Sequence, residues 1–81
     1  MPHIIVKLYP GKSEEQKINL AEKITAVVSE SLNLNESSIS VAIEEIPSEN
    51  WGKEVYKKDI IENEKNLYIR PGYKPSEDEL K

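Results

Sequence analysis

A chain of 81 residues, 37% hydrophobic and with a formal net charge of -4, makes one small acidic domain spanning residues 1–81, whose last stretch, 75–81, is expected to fray. It has no basic stripe to bind nucleic acid, no cysteine for disulfides or thiolate chemistry, and only one histidine, too few for a histidine-rich metal site. No apolar run reaches the roughly 18 residues of a membrane span and no signal peptide precedes the first strand, so the expectation is a cytoplasmic protein without membrane contact.

The chain opens on Met1-Pro2-His3-Ile4-Ile5-Val6. If Met1 is removed, the Pro2 nitrogen becomes a secondary amine, able to take up a proton. Burial or a nearby cation brings such an amine toward neutrality, where a general base works best. With Met1 retained the same nitrogen is an amide with no basicity. His3 to Tyr9 alternates as a strand, with Ile4, Val6 and Leu8 on one face and His3, Ile5, Lys7 and Tyr9 on the other. Apolar residues on both faces predict a strand covered on both sides. Pro10-Gly11 ends it.

Ser13-Glu14-Glu15-Gln16 is a capping box, with two glutamates in the first turn where the helix dipole favours them. Leu20, Ala21, Ile24, Val27, Val28 and Leu32 then recur at helical steps as one apolar stripe. Glu15, Lys17, Glu22, Lys23 and Glu30 read as the solvated face. Asn33-Leu34-Asn35 ends the helix, asparagine tolerating the left-handed conformation. Ser38 to Ile46 reads as a second strand. Two strands around one long helix form a right-handed βαβ unit with a parallel strand pair. Adjacent strand residues face opposite ways, so Glu44 and Glu45 read as one exposed and one salt-bridged carboxylate, not a catalytic pair. After Pro47, Trp51 to Ile61 reads as a short helix with Trp51, Val55 and Tyr56 inward. Asn66 to Arg70 reads as a short strand stopped by Pro71-Gly72. A two-stranded sheet with a bare apolar face needs more cover than this chain supplies, so a second copy is expected to complete the sheet.

Met1-Pro2-His3-Ile4, Ser37-Ser38-Ile39-Ser40-Val41, Glu49-Asn50-Trp51, Val55-Tyr56 with Asp59-Ile60, and Arg70-Pro71-Gly72-Tyr73 stand in an order and at spacings that resemble the 4-oxalocrotonate tautomerase superfamily. They are similar in particular to its dimeric branch of small bacterial tautomerases with an amino-terminal proline and an extended C-terminal segment. The resemblance implies an α+β fold of tautomerase type, a βαβ unit with a short C-terminal helix and strand. The long segment after Trp51 favours a homodimer over a hexamer.

The resemblance also implies a cofactor-free isomerase that interconverts enol and keto forms of small 2-oxo acids. Pro2 matches the catalytic base. Lys12 and Ser40 stand where the family's two carboxylate-binding arginines stand, and Trp51 matches its aromatic wall. Serine lacks the two-pronged grip of arginine, which weakens the case for a dicarboxylate substrate. A cation at Lys12 would bind a carboxylate and lower the amine pKa of a nearby proline. Arg70 is a further candidate anion contact, whereas strand alternation turns His3 away from Pro2 and gives it a structural role. Two other readings compete. One is a hydratase or dehalogenase of the same superfamily, which the few arginines oppose. The other is a non-enzymatic interaction module that keeps Met1.

Overall fold

The computed structural model describes all residues, Met1–Lys81. The chain forms two compact units, Met1–Glu45 and Ile46–Lys81.

In the first unit, β1 (His3–Leu8) leads through Gly11 into α1 (Glu14–Leu32), and a 3-10 turn at Glu36–Ser38 leads into β2 (Ser40–Glu45). The strands pair in parallel, from His3 opposite Ser40 to Leu8 opposite Glu45. Parallel neighbours need a long crossover, and α1 supplies it. The predicted second strand starts later than expected because Ser38 belongs to the 3-10 turn, where its hydroxyl donates to the Asn35 carbonyl at 2.8 Å.

Both ends of α1 follow from local chemistry. The Gln16 N–H donates to Ser13 Oγ at 3.1 Å, and the Ser13 N–H donates to Gln16 Oε1 at 3.0 Å. At the other end Asn33 adopts φ 55°, ψ 53°. The Leu34 N–H then closes on the Ser29 carbonyl at 3.0 Å, the outer bond of a Schellman motif.

One sheet face, bearing Ile4, Val6, Val41 and Ile43, is half-buried beneath α1. From the helix, Leu20, Ala21, Ile24 and Val28 are half-buried, but Val27 and Leu32 are 61% and 58% exposed. The apolar stripe is thus wider than two strands can cover. Lys17, expected on the solvated face, instead pairs with Glu14 at 3.0 Å and with Glu45 at 3.4 Å, so it ties helix to sheet. The hydrogen bond that Lys17 donates to Glu14, with both carboxylates nearby, holds the Lys17 pKa above its usual value. Glu44 is exposed while Glu45 is paired, as strand alternation requires. The opposite sheet face carries His3, Ile5, Ser40 and Ala42. Ile5 is 50% exposed, so within this chain the strand is covered on one side, not both.

In the second unit, α2 (Ser48–Trp51) runs without a break into π-helical turns at Gly52–Ile61. The Glu62 N–H bonds to the Lys57 carbonyl, five residues back, at 2.9 Å. Val55 is buried as expected, and Trp51 and Tyr56 are half-buried. Gly52 lies directly beneath the Glu79 backbone in the C-terminal 3-10 turn Asp78–Leu80, leaving no room for a side chain. That turn is braced by Ser76, whose N–H donates to Glu79 Oε1 at 2.9 Å and holds the Glu79 pKa below its usual value.

The strand expected at Asn66–Arg70 does not form. A 3-10 turn at Glu64–Asn66 takes its start, and Tyr68 and Ile69 stand 98% and 87% exposed. A strand needs a hydrogen-bonded neighbour, and the sheet consists of β1 and β2 alone. No helix is long and apolar enough to cross a membrane.

Ser13→Ala removes the acceptor of the Gln16 N–H and leaves only the backbone N–H of residue 13 for the Gln16 side chain. The expected loss is about 1 kcal/mol, seen as a melting midpoint lower by roughly 4–8 °C in a domain of this size. An unchanged midpoint by circular dichroism would mean that packing alone sets the start of α1.

Candidate active site

Pro2 is half-buried one residue ahead of β1. Its carbonyl accepts a hydrogen bond from the Ser40 N–H at 3.2 Å, which carries the parallel ladder one step past the first paired residues. The residue therefore sits on the sheet and not on a loose tail. Met1 before it is fully exposed, and while Met1 remains attached the Pro2 nitrogen is an amide.

Ser40 binds this corner twice. Besides its backbone bond to Pro2, its Oγ lies 2.7 Å from His3 Nδ1 across the strand pair. Ser40 and His3 are register partners, so both side chains leave the same sheet face at the same level. The structural role expected of His3 is this bond. The Ser40 hydroxyl, a candidate substrate contact, is shared with the imidazole.

Lys12 lies elsewhere. It is exposed, between Gly11 at φ 124° and the Ser13 cap, at the end of the sheet where β1 stops. Pro2 lies where β1 starts. Six strand residues at about 3.3 Å each separate the two ends by roughly 20 Å. A lysine side chain cannot span that distance. Pro2, His3 and Ser40 come together within one chain; Lys12 does not join them, and its ammonium does not act on the Pro2 nitrogen of the same chain.

In the second unit Trp51 closes α2, and its indole Nε1–H donates to Tyr73 Oη at 2.8 Å. The Tyr73 ring meets Tyr56, with centroids 5.5 Å apart and planes tilted by 57°. Tyr73 is the participant that sequence reasoning missed. The signal lies in Arg70-Pro71-Gly72-Tyr73, where the turn is followed directly by an aromatic residue. Arg70 itself is paired with Glu64 at 3.0 Å, and both side chains are mostly exposed. His, Cys, Asp and Glu side chains form no cluster able to hold a metal.

The chain is similar to known proteins. A family model described as tautomerase enzyme matches residues 2–59. A protein of Xylella fastidiosa strain 9a5c named "Probable tautomerase" is 42% identical over 73 residues, covering 90% of this chain and 89% of its own length. Tautomerase PptA of Cronobacter sakazakii is 40% identical over 74 residues, covering 90% and 97%. Among solved structures, YwhB, a homologue of 4-oxalocrotonate tautomerase, superposes with a TM-score of 0.58 at 42% identity, over 59% of this chain and 79% of its own. TomN, a 4-oxalocrotonate tautomerase homologue of the tomaymycin biosynthetic pathway, gives a TM-score of 0.60 at 36% identity, over 62% and 77%. With its parallel βαβ unit and a proline fixed at the head of the first strand, the chain belongs to the tautomerase family of enzymes, within the 4-oxalocrotonate tautomerase superfamily.

Proposed function

We propose that this chain is a cofactor-free, cytoplasmic keto–enol tautomerase acting on small 2-oxo acids, with the Pro2 amine as general base once Met1 is removed. The observation that carries the reading is the anchoring of Pro2 to β2 through the Ser40 N–H. A base must be held within hydrogen-bond reach of the proton it moves. The neutral amine accepts the enol O–H proton and returns it to the adjacent carbon. One O–H bond breaks, one C–H bond forms, and the C=C–O unit becomes C–C=O. Half-burial of Pro2 favours the neutral amine. Trp51 supplies the aromatic wall, and Lys12 binds the substrate carboxylate. In this reading Ser40 contributes to the site mainly by holding Pro2 and His3 in place, so the grip on carboxylate is single and suits a monocarboxylic 2-oxo acid.

The placement of Lys12 and Pro2 beyond opposite ends of β1, a strand roughly 20 Å long, gives this reading a consequence. The lysine that serves one Pro2 comes from a second copy of the chain. A homodimer with its sheets related by a two-fold axis sets the end of β1 in one copy beside the start of β1 in the other. It also covers the apolar face around Ile5.

Two measurements test this. The first compares kcat/KM for ketonisation of phenylenolpyruvate by the same chain with and without Met1. The expected outcome is activity in the trimmed form alone, with one ionisation in the pH–rate profile below that of an ordinary proline amine. Equal activity in the two forms would end the proline mechanism, and no activity in either would leave a non-enzymatic interaction module as the better reading.

The second concerns Lys12. Lys12→Ala should raise KM about 10- to 100-fold, the worth of a charge-assisted hydrogen bond. Mixing Lys12→Ala chains with Met1-retaining chains should then restore intact sites in mixed dimers, about a quarter of all sites at equal proportions. If Lys12→Ala is inactive at low substrate and mixing recovers nothing, the site is not shared between copies.

A further inference from the structure

We propose that Tyr73 is the positioning residue of the Trp51 indole, and that the Trp51–Tyr73–Tyr56 arrangement sets a preference for 2-oxo acids carrying an aromatic ring. The proposal rests on the reading of Trp51 as a substrate wall.

The geometry begins with helix winding. In an α-helix, residues five apart diverge by about 140° around the axis. Trp51 and Tyr56 are five apart, and the turn joining them is π-wound, with bonds that close five residues back. That winding brings the two side chains near the same side of the helix. Tyr73, returning after Pro71-Gly72, then meets both. Its hydroxyl accepts from the indole at 2.8 Å, and its ring lies against Tyr56 at 5.5 Å. A regular α-helix would not let one tyrosine do both.

The chemistry follows from how an indole is held. Trp51 is only half-buried, so packing by itself does not settle its side-chain rotation. The indole N–H is its single polar handle, and Tyr73 takes it. Tyr56 in turn limits where the Tyr73 ring can go. An indole fixed before the substrate arrives does not lose rotamer freedom on binding, which improves affinity for whatever lies against its face. An aromatic substrate ring gains most, because ring–ring contact depends on orientation. A short aliphatic enol gains little.

Trp51 is the only tryptophan in the chain, so indole fluorescence reports on this one side chain. The test is Tyr73→Phe, which removes the acceptor and keeps the ring against Tyr56. Steady-state emission and anisotropy would be recorded on the trimmed enzyme, and kinetics run with phenylenolpyruvate and with an aliphatic 2-enol acid. The expected result is lower indole anisotropy and a KM for phenylenolpyruvate raised about three- to tenfold, the scale of one hydrogen bond. The aliphatic KM should stay within about twofold and kcat be unchanged for both. Anisotropy at the wild-type value would overturn the positioning role. Equal loss of activity toward both substrates with a lower melting midpoint would also overturn it, leaving a purely structural tether. Trp51→Leu separates the two readings: an unchanged KM for phenylenolpyruvate in that variant removes the wall itself and the specificity role with it, whereas the anisotropy of Tyr73→Phe tests the hydrogen bond regardless.

Discussion

The parallel pairing of β1 with β2 is the constraint on which the rest of the first unit depends. Parallel strands cannot be joined by a tight turn, so the chain must travel back along the sheet before it can pair. The 19 residues of α1, at 1.5 Å each, cover about 28 Å. That exceeds the roughly 20 Å of a six-residue strand and leaves room for the turns at each end. Each end is closed by its own chemistry, the capping box at Ser13 and the left-handed Asn33. Register then follows from the ion pairs and the pleat. Glu45 must face the helix to meet Lys17, which sets Ser40 and His3 on the opposite face and puts the Ser40 N–H against the Pro2 carbonyl.

A single chain leaves this design incomplete. Val55 is the only buried apolar side chain, while Ile5, Tyr9, Ile18, Val27, Leu32, Ile61, Tyr68 and Ile69 are all substantially exposed. An isolated two-stranded sheet is marginal in water, and exposed apolar surface of this extent marks an interaction surface. The same conclusion comes from chemistry by a separate route. The candidate base and the candidate carboxylate ligand lie at opposite ends of one strand, and a site that uses both must draw on two copies. Stability and the proposed site thus make the same demand, for different reasons.

What could be read from the sequence divides along physical lines. The βαβ unit was legible because its signals are local: the alternation at His3–Leu8, the cap at Ser13, the apolar period of α1 and the asparagine at its end. Glu44 and Glu45 were assigned correctly from alternation alone. The failures have a common cause in contacts made at a distance. Lys17 looks solvated on a helical wheel, yet its partner is 28 residues on in Glu45. Asn66–Arg70 has strand propensity, but propensity supplies no neighbouring strand. Tyr73 escaped notice because its role depends on π winding at Gly52–Ile61, for which periodicity gives no signal. The separation of Lys12 from Pro2 was implicit in the predicted strand, since a strand has length.

The position of Pro2 also explains how, under the proposed mechanism, one residue would be a fold element and a reactive group at once. A proline nitrogen in a peptide bond carries no hydrogen, so it contributes nothing to a sheet ladder. Its carbonyl does contribute, and here that carbonyl is the atom that Ser40 holds. Cutting the bond to Met1 therefore changes the chemistry of the nitrogen without removing a hydrogen bond from the strand pair. A primary-amine residue at the same place would have donated a backbone N–H while Met1 was attached, and its surroundings would have been built to receive it. Proline avoids that conflict. The fold needs only its carbonyl, its ring fixes the backbone angle at the strand's start, and the nitrogen is left over for the proton transfer proposed above. In the proposed mechanism, the loss of Met1, whose side chain is fully exposed, would convert an inert amide into a base on a scaffold that is already in place.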